Sequence, residues 1–218
     1  MKHRRLASLA AATLLLGATA PAAADGIEIE TVAFGLHNPR GIALAPDGSI
    51  YVAEAGAAGD ICPFDFYGQG GFCVGLTGSV ARIHDGIVQR VAEGLPSGGA
   101  QAQIGGPSDV AVLEDGSLYV ILNLGGDPGQ RDRLPLGVGE LRGWLVRVDT
   151  EGQIEPVADV AAFEGTHNPD ADTVGGSVET NPHSVVVLED GAAVADAGGN
   201  SLVRVAACLL YTSPSPRD

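Results

Sequence analysis

The sequence predicts an all-β fold: an incomplete β-propeller of about three four-stranded blades, half of a six-bladed ring. Three observations carry this. A hairpin phrase recurs three times in register, each copy is followed by a strand with Arg at a fixed place, and the segment before the first hairpin is similar to the fourth strand of a repeat. Each repeat is one supersecondary unit that must bury its apolar face on its neighbours.

The hairpin comes first. Pro39, Pro107 and Pro182 each stand eight residues before the Asp of an Asp-Gly pair (Asp47-Gly48, Asp115-Gly116, Asp190-Gly191), with aliphatic and β-branched residues between. In the first two units a second run, Ile50-Tyr51-Val52 and Leu118-Tyr119-Val120, follows the turn. Alternating apolar runs around Asp-Gly are the strongest short-range hairpin signal. Third strands follow at residues 78–83, 143–148 and 200–205, with Arg82, Arg147 and Arg204 one place before the last aliphatic residue. Fourth strands are expected at residues 85–91 and 151–157. The connections from second to third strand are long in the first two units, residues 56–77 and 125–142, and short in the third, residues 198–200.

The chain ends read differently. Residues 1–24 carry a basic start (Lys2, Arg4, Arg5), an apolar stretch from Leu6 to Leu16 and the small-residue run Ala22-Ala23-Ala24, the three zones of a secretory signal peptide. This predicts export, to the periplasm or the medium, with no membrane span after cleavage, since the apolar stretch is too short to cross a bilayer. Residues 208–218, Cys-Leu-Leu-Tyr-Thr-Ser-Pro-Ser-Pro-Arg-Asp, resemble the translated transposon-end adapter of a sequencing library, so a non-native tail is expected there. The propeller portion is residues 25–207. Residues 25–36 are similar to a fourth strand and are expected to complete the last blade of a closed ring.

Composition excludes one class of partner. Formal net charge is −15, and outside the leader and the tail every basic residue is Arg. A strongly acidic chain is unsuited to phosphate backbones, so no nucleic acid is expected. Cys62 and Cys73 lie in the first long connection; in an exported chain this spacing predicts a disulfide that closes it. Zinc is disfavoured, because the segment has neither Cys-x-x-Cys nor His. Nucleophile-elbow, zincin and dinucleotide motifs are absent.

Beyond these readings, Glu54-Ala55-Gly56 and the run from Asp196 to Val205 resemble the Ala-Asp-x-x-Asn-x-x-x-Arg-Val phrase of NHL-type and gluconolactonase-like six-bladed propellers. Gly125-Gly126-Asp127-Pro128, Asn168-Pro169-Asp170 and Asn181-Pro182 resemble the exported ScyD/ScyE family. That resemblance implies an exported binding or accessory propeller, taking a small molecule or a protein on its loop face.

The alternative is a divalent-metal-dependent lactonase or related hydrolase. For it, Glu54, Asn123 and Asp196, each two places before a Gly at a second-strand end, are the candidate Ca²⁺ or Mg²⁺ ligands. His183 and Asp109 are its candidate acid/base pair. Arg40, Ser108 and His183 open the innermost strands and would form the channel mouth. A second oxygen-rich stretch, residues 168–175, alternates donors and ends in Gly but lacks the distal Glu of a calcium loop. For each acidic or amide residue the competing role is to cap a strand end by bonding loop backbone.

Overall fold

The computed structural model describes residues 27–66, 69–100, 103–135, 137–173 and 176–206; the predicted signal peptide and the adapter-like tail lie outside them. Residues 32–206 form three consecutive blades of an incomplete β-propeller. Blade 1 holds β1 (Pro39–Leu44), β2 (Ile50–Glu54), β3 (Ile61–Phe66), β4 (Gln69–His84), β5 (Ile87–Ala100) and β6 (Gln103–Gly105), in the order β1-β2-β4-β5-β6 with β3 on β4. Blade 2 is a four-stranded meander of β7 (Pro107–Val112), β8 (Leu118–Leu122), β9 (Trp144–Val148) and β10 (Ile154–Asp159). Blade 3 contributes β11 (Pro182–Leu188), β12 (Gly191–Asp196) and β13 (Ser201–Ala206), preceded by the short helix α1 (Val160–His167).

Innermost strands lie side by side: β7 packs on β1 and β2, and β11 on β7 and β8. Between blades 1 and 2, Ala53, Val80, Ala92 and Leu95 meet Val110, Val120, Val146 and Val148. Between blades 2 and 3, Ala111, Ile121 and Leu145 meet Val185, Val194 and Val203. The period-2 alternation seen in sequence therefore points each strand's two sides at two different neighbouring blades.

The hairpin turns follow their chemistry. In blades 1 and 2 the chain closes through three residues, with Ala45 N–H on Ser49 O and Leu113 N–H on Ser117 O at 2.8 Å. Gly48 and Gly116 take the left-handed conformation that such a turn places before the returning strand. Blade 3 is one residue shorter. There Leu188 pairs directly with Gly191, so Asp190-Gly191 is the end of a two-residue turn.

Two expectations are corrected. The first long connection is not a closed loop but a β arm: β3 and the first half of β4 pair with each other, and β4 continues along β5. Its apolar residue Val74 is buried against Leu134 and Val138 of the blade 2 connection, which holds the arm on its neighbour. Residues 27–36 form no strand; Ala33 and Leu36 instead pack over Val52, Ala81 and Ile83 on the outward side of blade 1.

Candidate functional site

All the long connections leave from one end of the blades, and the Asp-Gly turns occupy the other. At the loop end each innermost strand starts with Pro and is immediately bulged, between Pro39 and Ile42, Pro107 and Asp109, and Pro182 and Ser184. The bulged residues are the predicted mouth. Arg40 donates to Ile104 O at 2.6 Å; Ser108 is buried, its Oγ 3.2 Å from both Ile121 O and Pro182 O; His183 is exposed. A bulge re-aims a side chain, which explains why one register position yields three environments.

Pairing also fixes the level of the candidate metal ligands. Pro39 pairs with Glu54, Pro107 with Leu122 and Pro182 with Asp196. Leu122, not Asn123, is thus the counterpart of Glu54 and Asp196, and Asn123 lies one residue further out. The three are not brought to one register level.

Their oxygens are also engaged separately. Glu54, fully buried, accepts from His37 N–H (2.7 Å), Ser79 Oγ (2.6 Å) and both arms of Arg90 (2.9 and 3.0 Å). Burial opposes its ionisation, yet these donors outweigh it and hold its carboxyl below the usual range. Asp196 accepts from Thr180 Oγ1 (2.5 Å) and the N–H groups of Asn181 (2.6 Å), Gly198 (3.0 Å) and Gly199 (3.1 Å). Asn123 presses against Gly105, and its Oδ1 is buried without a partner among the described residues. No three His, Cys, Asp or Glu side chains gather as a metal-ligand set among the described residues.

Asp109 lies between blades. Its Oδ2 accepts from Val185 N–H at 2.9 Å, its Oδ1 accepts from Val110 N–H at 2.9 Å, and its carboxylate fills the space beside the Cα of Gly41, where a methyl group would collide with it.

A carboxylate centre that the sequence reading missed forms around α1. Glu164, buried on that helix, sits over Gly199, whose missing Cβ leaves room for Oε2. The side-chain amide of Asn168, the left-handed cap of α1, faces two carboxylate oxygens, so its nitrogen is assigned to that side, where it donates to Glu164 Oε1 (3.1 Å) and Asp170 Oδ1 (2.9 Å); Asn200 donates to Asp170 Oδ2 (2.6 Å). Burial, together with the charges of Asp196 and Asp170, pushes the Glu164 carboxyl above its ordinary range. Asp170 of the second oxygen-rich stretch and Asp196 of the strand-end set thus converge on a residue in neither; residues 174–175 of that stretch lie outside the described residues. The available signal was the pair of caps, Asp159 and Asn168, eight residues of helix apart.

The segments that carry the family resemblance meet here too. Gly125 and Gly126 both donate to Thr180 O at 3.0 Å, beside Asn181-Pro182, and Asp127 caps the following 3-10 helix, Pro128–Arg133, by accepting from Gly129 N–H. They border a cavity of about 230 Å³ lined by Gly125, Gly126, Glu179, Thr180, Asn181 and Gly198. A larger one, about 430 Å³, opens at the same end of blade 2, lined by Arg131, Asp132, Leu134, Glu140, Trp144 and Asp159. Arg131 is fixed there by Asp159 Oδ1 (2.8 Å) and Arg142 O (3.3 Å). A wider cleft, about 850 Å³, lies at the opposite end between the turns of blades 2 and 3, lined by residues such as Leu113, Tyr119, Val187 and Leu188.

Cys62 and Cys73 are joined in a disulfide, their Cα atoms 4.1 Å apart, tying β3 to β4. No helix among the described residues is long and apolar enough to cross a membrane. A comparison with family models found no match, and neither did a comparison with curated proteins.

Proposed function

We propose that this chain is an exported propeller of the ScyD/ScyE type that acts as a binding or accessory module, its ligand seated on the loop face. One observation supports the reading best. Gly125-Gly126 and Asn181, from two of the motifs that resemble the family and far apart in sequence, meet at the end of blades 2 and 3 around the smaller cavity, next to the larger connection of blade 2. Of the candidate metal and acid/base residues, Glu54 is held by Arg90, Asp196 by loop amides and Asp109 between blades, while His183 stands exposed. Binding on loops carried by a rigid scaffold needs no convergent acid, base or metal.

The chain holds a single tryptophan, and Trp144 lines the larger cavity, so its fluorescence reports on that site. Titration with a panel of mono- and oligosaccharides and small aromatic acids should give a saturable change for at least one of them, abolished by Arg131→Ala. Saturable hydrolysis of D-glucono-1,5-lactone dependent on added Ca²⁺ or Mg²⁺ would replace this reading with the lactonase. Export is tested by expressing the full gene in a bacterial host and weighing the product: a mature chain beginning at Asp25 in the periplasmic fraction is expected.

A further inference from the structure

Three carboxylates are buried together where α1 meets the β12–β13 connection of blade 3. Glu164 is 1% exposed, Asp170 4% and Asp196 2%, and among the described residues no Arg, Lys or His forms an ion pair with any of them. Asp196 is balanced by four donors, the Thr180 hydroxyl and three backbone N–H groups. The other two are not. Apart from the Asn168 amide, Asp170 has one donor to its carboxylate, Asn200 on Oδ2, and Glu164 has none; its Oε2 is buried without a partner among the described residues. Charges enclosed in this way are normally paired with an opposite charge or bound to a metal.

The Asn168 amide fits this pair in two orientations. With its nitrogen inward it donates to both carboxylates. Turned over, the nitrogen donates to Gly176 O at 3.3 Å instead, and Oδ1 stands 3.1 Å from Glu164 Oε1 and 2.9 Å from Asp170 Oδ1. Three oxygens so placed repel one another unless a cation lies among them, and a shell with metal–oxygen distances of about 2.0–2.6 Å sets neighbouring oxygens about 3 Å apart. We propose that Glu164, Asp170 and the turned-over amide of Asn168 form a site for a hard divalent cation, calcium or magnesium. The ligand set is oxygen only, which suits these ions rather than zinc or copper. With an amide as third ligand, two carboxylates are enough to match the charge of the ion. Glu164 Oε2 is the second oxygen that a bidentate glutamate offers calcium. Asp196 adds negative charge without coordinating, since both its oxygens are already engaged. This site therefore differs from the strand-end set of Glu54, Asn123 and Asp196: its ligands come from the last turn of α1 and the residues just after it. Because Asn200 holds Asp170, an ion there ties α1 to blade 3.

The test is calorimetric titration of the full chain, freed of metal by chelator and dialysis, with calcium chloride and with magnesium chloride at neutral pH. Salt is kept at about 0.15 M, which screens diffuse attraction of cations to a chain of net charge −15. Binding of one ion per chain is expected, with a melting temperature that rises with its concentration. Glu164→Gln and Asp170→Asn should each weaken binding about tenfold or more and abolish that rise. Asp172→Asn, which alters an exposed carboxylate of the same segment, should leave both unchanged. Circular dichroism in chelator should match the parent for all three variants, which separates lost ligation from lost folding. Failure of the parent to bind either ion one-to-one at millimolar concentration would overturn the proposal whatever the variants do. Undiminished binding in Glu164→Gln, or equal weakening by Asp172→Asn, would assign the ion to diffuse surface charge and overturn it equally.

Discussion

Asp109 of β7 accepts the backbone N–H of Val185 in β11 at 2.9 Å, so a carboxylate on the innermost strand of blade 2 clips blade 3 in place. A bulge at Ser108 turns the strand just before it, and Gly41 of blade 1 leaves the carboxylate its space. Removing the acceptor strands an amide between blades, at about 1–3 kcal/mol for an unsatisfied buried donor. Asp109→Ala should lower the unfolding free energy measured by urea denaturation by that amount, with Asp109→Asn intermediate because its amide oxygen still accepts. Gly41→Ala should be destabilising as well, since its methyl group meets the Asp109 side chain. An Asp109→Ala protein as stable as the parent would remove this role.

Two buried glutamates should respond to pH in opposite directions. Glu54 is held below its ordinary range, so its contribution to stability is present above the carboxylate pKa of the unfolded chain, about 4.3, and is lost as pH falls through the lower folded value. Glu164 is raised, so its folded form holds a proton more tightly than the unfolded chain does. Its contribution is complete below about 4.3 and declines as pH rises through the folded value. At pH 7, Glu54→Ala should cost about 3 kcal/mol, because it leaves Arg90 unpaired at the edge of the core. Glu164→Gln should stabilise at the same pH, since Oε2 has no partner among the described residues and an amide can donate where two carboxylates lie close. Denaturation midpoints at pH 4, 5.5 and 7 would check both signs.

The hairpins were legible in sequence because alternation and turn chemistry are local, and Pro39, Pro107 and Pro182 mark the same register position in all three blades. The misplaced residue was Asn123. Counting back from the following Gly selects it, whereas counting from Pro107 reaches Leu122, which is where the pairing puts the level of Glu54. The β arm was hidden because its second half is rich in glycine and resembles a loop, while its strand pairing depends on β5 and on Val74 packing against a different blade. Helix α1 escaped because eight residues carry little periodicity, and its burial of Glu164 is decided by Gly199, thirty-five residues later. Partners set by tertiary contact leave no local mark.

The Cys62–Cys73 bond should be present in exported material. The full chain has three cysteines, so alkylation under denaturing, non-reducing conditions should label one thiol, Cys208, and reduction should expose three. Replacing both Cys62 and Cys73 by Ser should cost roughly 2–3 kcal/mol if the short closed segment acts by restricting the unfolded chain. Because the arm packs on Leu134 and Val138, the loss should also loosen the connection that lines the larger cavity, shifting Trp144 fluorescence.

Each blade repeats one further pairing: the third-strand Arg reaches the Asp of the Asp-Gly turn, Arg82 to Asp47 at 2.8 Å, Arg147 to Asp115 at 2.7 Å, and Arg204 to Asp190. In blades 1 and 2 the Arg Nε also donates to the turn serine, Ser49 or Ser117. These ion pairs are exposed, so Arg147→Ala alone should cost about 0.5 kcal/mol or less. Asp115 also shapes the turn itself, because its Oδ1 accepts the Ser117 N–H at 3.0 Å and the Ser117 hydroxyl at 2.5 Å. Asp115→Ala should therefore cost more than Arg147→Ala, about 1 kcal/mol. The Ser49 amide and hydroxyl, with Arg82, lower Asp47 to about 2, so its share of stability is present above about 3.9 and fades between that pH and about 2. Equal losses for Asp115→Ala and Arg147→Ala would show the ion pair, rather than the turn, to be the contribution that counts.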